Sequence, residues 1–154
     1  MRVKDYGNIR EQLYTEKLEN GLTVYVMPKK DFNKSYAFFA TDYGGADRRF
    51  SLSGKWIDTP AGVAHFLEHK MFDMPYGNAM TKLSANGASP NAYTSTDITA
   101  YHFESIEKFE ENLEVLLEFV STPYFTEESV QKEQGIIGQE IRMTEDDPDF
   151  EAYY

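Results

Sequence analysis

The run Ala64-His65-Phe66-Leu67-Glu68-His69 holds the densest chemistry in the chain. On a helix, positions i, i+3 and i+4 fall at about 0°, −60° and +40° around the axis, so all three polar side chains share one face. Two imidazoles one turn apart can bind a single cation, with a carboxylate beside them. Zinc suits such a set, because it accepts neutral imidazole nitrogens at about 2.0–2.1 Å. Two ligands leave a catalytic site incomplete. A third must come from elsewhere, and one position must stay open for water. Glu68 is then not a ligand but the group that takes the proton of that water. The plainer reading is a surface helix whose histidines lie four apart by chance. Against it, the chain has only three histidines and two sit in this motif. The flanks Val63, Ala64, Phe66, Leu67, Met71 and Phe72 also mark a largely buried helix. Burying two imidazoles and a carboxylate together is costly unless a cation compensates them.

A third ligand can be sought on the last helix that the sequence predicts, where Val130, Glu133, Ile137, Glu140 and Ile141 fall along one stripe. Two carboxylates thus occupy positions that are normally apolar. Spacing alone leaves both readings open, a ligand pair or the solvated acidic face to which Glu127, Glu128 and Glu145 belong. Gly135 and Gly138 each weaken that helix by about 1 kcal/mol relative to Ala. Their presence predicts a close approach to another helix.

Around these positions the chain alternates strands and helices. Asn20-Gly21 predicts a tight hairpin turn ahead of a strand over 23–27, and a further strand over 35–41 runs into Gly44-Gly45. Thr59-Pro60 reads as N-cap and first turn of a helix over 60–72. A short helix over 78–85 ends near Asn86-Gly87, and strands follow over 88–94 and 98–103. Phe109, Leu113, Leu116, Leu117 and Val120 form the apolar stripe of another helix. Thr126-Glu127-Glu128 opens the last one, over 127–143. Strands and helices in this order predict an α+β fold, a two-layer antiparallel sheet plus helices. With no repeat or linker, residues 1–154 read as one compact unit. Asp146-Asp147-Pro148 is expected to close the last helix. The aromatic stretch 150–154, with no polar tail, reads as a chain cut from something longer. His102 belongs to no motif and reads as structural. Trp56 and Tyr153-Tyr154 are assigned to packing or to a contact with missing sequence.

Bulk properties bound the function. The 154 residues carry a net charge of −11, with 41% hydrophobic, 15% aromatic and 27% charged residues. A chain of this size buries roughly two-thirds of its unfolded surface. The acidic balance argues against nucleic acid as a partner, since nothing offsets phosphate repulsion. With no cysteine, disulfides, a thiol nucleophile and thiolate-bound zinc are excluded, so a metal must be held by nitrogen and oxygen. The N-terminus lacks the apolar core of a signal peptide, and no apolar run is long enough to span a bilayer. The expected setting is the cytoplasm, with no membrane partner.

The chain resembles the pitrilysin/insulinase family, the inverzincins, in which His-x-x-Glu-His reverses the commoner His-Glu-x-x-His. Four ordered segments carry the resemblance: 18–24 (LENGLTV), 62–69 (GVAHFLEH), 87–94 (GASPNAYT) and 133–141 (EQGIIGQEI). In detail it is similar to the N-terminal portion of a bacterial processing-type peptidase of the kind associated with elongation factor P aminopentanol modification. The resemblance implies one Zn²⁺ held by His65, His69 and Glu140, with Glu68 as general base and Glu133 orienting a ligand. It implies that Asn91, Ala92 and Tyr93 bind a peptide as an added strand, although an ordinary edge strand would look the same. Pro90 departs from a pairing strand, having no N–H to donate. The implied activity is hydrolysis of peptide bonds in a peptide or protein substrate. A homodimer, or a heterodimer with an insulinase-like subunit, is also implied. Family catalytic domains are longer than this chain, and a second half supplies basic or tyrosine side chains that clamp the scissile carbonyl. A non-catalytic zinc-binding or assembly subunit is therefore the alternative. The metal-dependent ribosylhomocysteine lyase shares the motif and a related fold, but its third ligand is a cysteine, which this chain lacks.

Overall fold

The structure is a computed structural model that describes residues 1–146, without the side chain of Glu145. The expectations for 147–154, including the aromatic end, lie outside the described residues. The chain divides into two compact units, Met1–Asn33 and the remainder from Lys34.

The first unit is an antiparallel meander of β1 (Arg2–Tyr6), β2 (Glu11–Lys17) and β3 (Thr23–Val26). Lys17 pairs with Thr23, so the loop between β2 and β3 spans 18–22. Within it only Gly21 takes a positive φ, 91°. Asn20 instead accepts the Leu22 N–H through its side-chain oxygen. The Asn-Gly pair therefore turns the chain through one left-handed residue rather than the two of a type I′ turn.

The second unit is built on an antiparallel sheet of order β4-β10-β9, formed by β4 (Ser35–Thr41), β9 (Ser89–Thr94) and β10 (Thr99–Ser105). Two hairpins, β5 (Arg49–Leu52) with β6 (Lys55–Asp58) and β7 (Asp73–Met74) with β8 (Gly77–Asn78), interrupt the chain. Alternation along the strands decides which side is the core. Ala37, Tyr101 and Phe103 are buried on the inner side, with Phe39 partly buried, and meet the helices α1 (Val63–Lys70), α2 (Ala79–Ala85) and α3 (Phe109–Ser121). Phe103 and Phe119 have essentially no exposed surface, and each such burial is worth about 1.5–3 kcal/mol. The last helix, α4 (Glu127–Glu145), packs on α1. The unit is thus an α+β, antiparallel sheet-plus-helices structure. None of the described helices is long and apolar enough to cross a membrane.

Three elements differ from the sequence-based expectation for physical reasons. α1 begins after Gly62, whose φ of 84° ends the preceding loop, and not at Thr59-Pro60. The Thr59 N–H donates instead to the Arg48 carbonyl at 2.8 Å, which ties it to the β5–β6 hairpin. On α3 the buried face is Asn112, Val115, Leu116 and Phe119, and Leu117 points to solvent. Phe109, Leu113 and Val120 of the expected stripe are partly buried against the same core, so only Leu117 departs from it. Trp56 is largely exposed and stacks against the Arg49 guanidinium rather than filling the core.

The glycines divide sharply. A Cβ on Gly44 would lie 2.5–2.6 Å from backbone atoms of Ser95, Asp97 and Ile98. Gly45 N–H donates to the Ser95 carbonyl at 2.8 Å, so the exit of β4 is clamped against the β9–β10 turn. Gly135 and Gly138 meet nothing within 4 Å, so the close helix approach expected of them is absent among the described residues. Gly44→Ala should therefore cost about 1–3 kcal/mol, because the backbone it meets must shift. Gly135→Ala should stabilise by up to about 1 kcal/mol. Urea denaturation of the two variants checks both signs.

Candidate metal centre

The short helix α1 presents two functional faces. Ala64 and Glu68, one turn apart, are buried, whereas His65 and His69 are half-shielded beside them. Their rings stand edge to face with centroids 4.6 Å apart. α4 supplies the carboxylates opposite. It starts at a capping box in which Thr126 and Ser129 exchange hydrogen bonds, an arrangement worth about 1 kcal/mol that also sets where the helix begins.

Glu140 brings its Oε2 to 3.6 Å from His65 Nε2 and 3.8 Å from His69 Nε2. One ligand atom from each of these three residues lies within 4.8 Å of the other two. Both imidazole distances exceed a hydrogen bond. Ligands bonded to one zinc at 2.0–2.1 Å and tetrahedral angles stand about 3.3 Å apart. The Glu140 oxygen thus sits within about half an ångström of the spacing a single ion requires from each imidazole. Two imidazoles and one carboxylate also form a ligand set of catalytic zinc sites. The residues present fit the ion.

Glu133 is buried, and its Oε1 lies 2.8 Å from His69 Nδ1. A carboxylate there accepts a hydrogen bond from the Nδ1–H of a neutral imidazole and leaves the Nε2 lone pair turned toward Glu140. Glu68 has a different setting. It is buried, and its Oε2 accepts a 2.5 Å hydrogen bond from Thr94 Oγ1 on β9. Its Oε1 accepts none among the described residues. Tyr101 stands nearby, its phenol pushed well above the ordinary tyrosine range by burial and then by the Glu68 charge.

Asn91, Ala92 and Tyr93 lie on β9, which pairs with β10 on one side and forms an edge of its sheet. Asn91 and Tyr93 are exposed. The Asn91 carboxamide accepts its neighbour's N–H, that of Ala92, at 2.9 Å. Pro90 sits opposite Phe103 on the same strand, a position tolerated at an edge. His102 stacks among Tyr36, Phe38 and Tyr93 on the outer side of the sheet, away from the metal-ligand group.

The sequence also matches a known family. Residues 53–152 fit the profile described as insulinase (peptidase family M16). The chain belongs to the M16 family. The chain is 53% identical over 152 residues to the uncharacterised zinc protease YmfH of Bacillus subtilis, covering 97% of this chain and 36% of that protein. An uncharacterised zinc protease of Rickettsia felis is 31% identical over 156 residues, covering 95% and 35%. The chain therefore spans about a third of the length of these M16 relatives. An M16-like protein from Alicyclobacillus acidocaldarius superimposes with a TM-score of 0.88 at 45% identity, over 93% of this chain and 34% of that one. Pitrilysin, at 20% identity and a TM-score of 0.73 over 91% of this chain and 15% of that one, shares the fold.

Within this M16 domain, Thr94 and Tyr101 are the site residues that sequence reasoning passed over. Thr94 had a signal, since it closes the Asn91-Ala92-Tyr93-Thr94 segment. Tyr101 had none, because only the β10 register brings it under α1. Elemental analysis of the purified chain should find about one zinc, held by three protein ligands. Glu140→Ala should lose it, and Glu133→Ala should weaken it about 10- to 100-fold, as removal of a ligand's hydrogen-bond partner does. Competition against a chelator separates these two effects.

Proposed function

We propose that this chain is the zinc-binding part of a peptidase that hydrolyses peptide bonds, with His65, His69 and Glu140 holding the ion. One observation carries the proposal. Two imidazoles of α1 and a carboxylate of α4, close enough to share one ion, stand beside a buried α1 carboxylate that is oriented but only half engaged. When bound, zinc supplies a Lewis acid that polarises the substrate carbonyl and lowers the pKa of water toward about 7. The protein groups do the rest. Glu133 holds the His69 ring in one tautomer through its 2.8 Å contact. Thr94 holds one oxygen of Glu68, leaving Oε1 to accept the proton of the attacking water. Glu68 then passes that proton to the leaving amine, which restores the starting state. α1 also packs against β9, so a peptide added along that open edge would run beside the site. On this reading Asn91, Ala92 and Tyr93 bind the substrate strand, and Asn91 releases the Ala92 N–H to do so.

Three narrower readings belong to the same proposal. The protein acts among bacterial processing-type peptidases of the kind associated with elongation factor P aminopentanol modification. It works in the cytoplasm. It pairs with an insulinase-like subunit or a second copy that completes the substrate clamp. The resemblance in four ordered segments supports the first. The second is supported by the same resemblance, whose bacterial processing-type peptidases are cytosolic. For the third, the support is the family resemblance, which implies a second half that supplies the clamp on the scissile carbonyl.

The decisive variant is Glu68→Gln. It should keep zinc and lose turnover of a fluorogenic peptide by a factor of about 10² or more, the range general-base catalysis supplies. His69→Ala should lose both. Equal zinc loss in the two variants would sink the assignment of Glu68 as base. Zinc retained in both, with no turnover even in the parent protein, would favour an assembly role.

A further inference from the structure

Lys70 follows the second histidine, yet its side chain has no exposed surface at all. Burying an ammonium is expensive unless each donor finds a partner. Two partners are present. Nζ donates to Asp73 Oδ2 at 3.0 Å and to the Tyr124 carbonyl at 2.9 Å. The Phe125 ring lies 5.2 Å from Nζ, within cation–π range. Asp73 belongs to the chain just after α1 and neutralises the charge locally. Tyr124 is different. It lies in the connection between α3 and α4, two residues before Thr126, the N-cap of α4.

Lys70 therefore joins the last residue of the histidine helix to the entry of the glutamate helix. Among the described residues, the other polar links from α1 to α4 are the His69–Glu133 contact and the approach of Glu140 to the two histidines. Those are the groups to be positioned, and they cannot also serve as their own support. The fourteen residues from Thr126 to Glu140 make an arm of about 21 Å. A tilt of about 5° at its start moves Glu140 by nearly 2 Å, enough to open the ligand set. The Thr126–Ser129 capping box fixes where α4 starts, but not where that start sits relative to α1. The buried ammonium does.

We propose that Lys70 is a positioning residue for the metal centre, holding the entry of α4 against the end of α1 so that Glu133 and Glu140 reach His65 and His69. The idea rests on the zinc reading of the site, but its geometric content can be read without metal. Asp73 would remain as an acidic neighbour after the lysine is removed, so loss of function cannot be ascribed to loss of a ligand.

The experiment compares the wild-type protein with Lys70→Met, Lys70→Arg and a core control, Phe119→Leu, which weakens apolar packing on Phe72 and Tyr101 without removing a polar contact of Lys70. Two quantities are measured well below each melting temperature. One is zinc affinity against a competing chelator. The other is the ring ¹⁵N chemical shift pattern of His69 in the metal-free protein, which reports whether Nδ1 carries the proton. Lys70→Met should bind zinc about tenfold more weakly or worse and lose the Nδ1–H pattern. Lys70→Arg, which can still reach the Tyr124 carbonyl, should keep both largely intact. Phe119→Leu should lower the melting temperature and change neither. Wild-type affinity and an unchanged tautomer in Lys70→Met would overturn the proposal, however far its melting temperature falls. So would the same losses in Phe119→Leu. Should Lys70→Met not fold, Lys70→Gln, neutral and shorter, carries the same comparison. A wild-type protein that takes up no zinc would defeat the metal reading alone, and the tautomer comparison would still decide the role of Lys70.

Discussion

The structure depends on one meeting of unlike groups, the carboxylates of α4 against the imidazoles of α1. Glu133 and Glu140 lie about two turns apart on α4, yet both must face a helix of eight residues. Neither helix does this by its own propensity. α1 is short, and isolated helices of that length are marginal in water. It is held by burying Ala64 and Glu68 toward the sheet, and by the Lys70 contacts at its end. α4 is long but poorly buried, with Ile141 largely exposed and two glycines that touch nothing. Its position is inherited from α1, its cap and the chain that enters it.

Three glutamates then acquire three distinct settings from one residue type. Glu68 faces the sheet and is gripped by Thr94, with the Tyr101 phenol nearby. Glu133 is buried against the outer nitrogen of an imidazole. Glu140 stays nearly half exposed and looks at two Nε2 atoms at once. Burial and partners differ, so the chemistry open to each differs. A carboxylate near two imidazole lone pairs can share a cation. One that holds an imidazole proton can only orient it. One with a free oxygen can accept a proton.

The sheet supports this arrangement asymmetrically. Its inner side is a continuous apolar layer through Phe72, Tyr101, Phe103 and Phe119. The outer side carries Tyr36, Phe38, Tyr93 and His102 in mutual contact and partly in solvent. The free edge along β9 lies next to the helix that carries the histidines. Gly44 keeps that edge in place, because the clamp between the β4 exit and the β9–β10 turn leaves no room for a side chain.

Local sequence determined much of this. The i, i+3, i+4 spacing of His65, Glu68 and His69 follows from helical periodicity alone, and so do the Asn78 and Thr126 caps, whose short side chains accept their own helices' N–H groups. Periodicity also placed Glu133 and Glu140 on one stripe. What it could not decide was anything that rests on a partner distant in the chain. Whether the glutamate stripe faced solvent or histidine was undecided until α4 lay on α1. On α3 the expected stripe meets the core except at Leu117, while Asn112, Val115 and Phe119 complete the buried face. Thr94 and Tyr101 became site residues through strand register, and Lys70 through a carbonyl 54 positions away. Periodicity fixes directions within an element, since it depends only on bonded geometry. Contacts between elements depend on packing that minimises exposed apolar surface over the whole unit, and no local window of residues contains that sum.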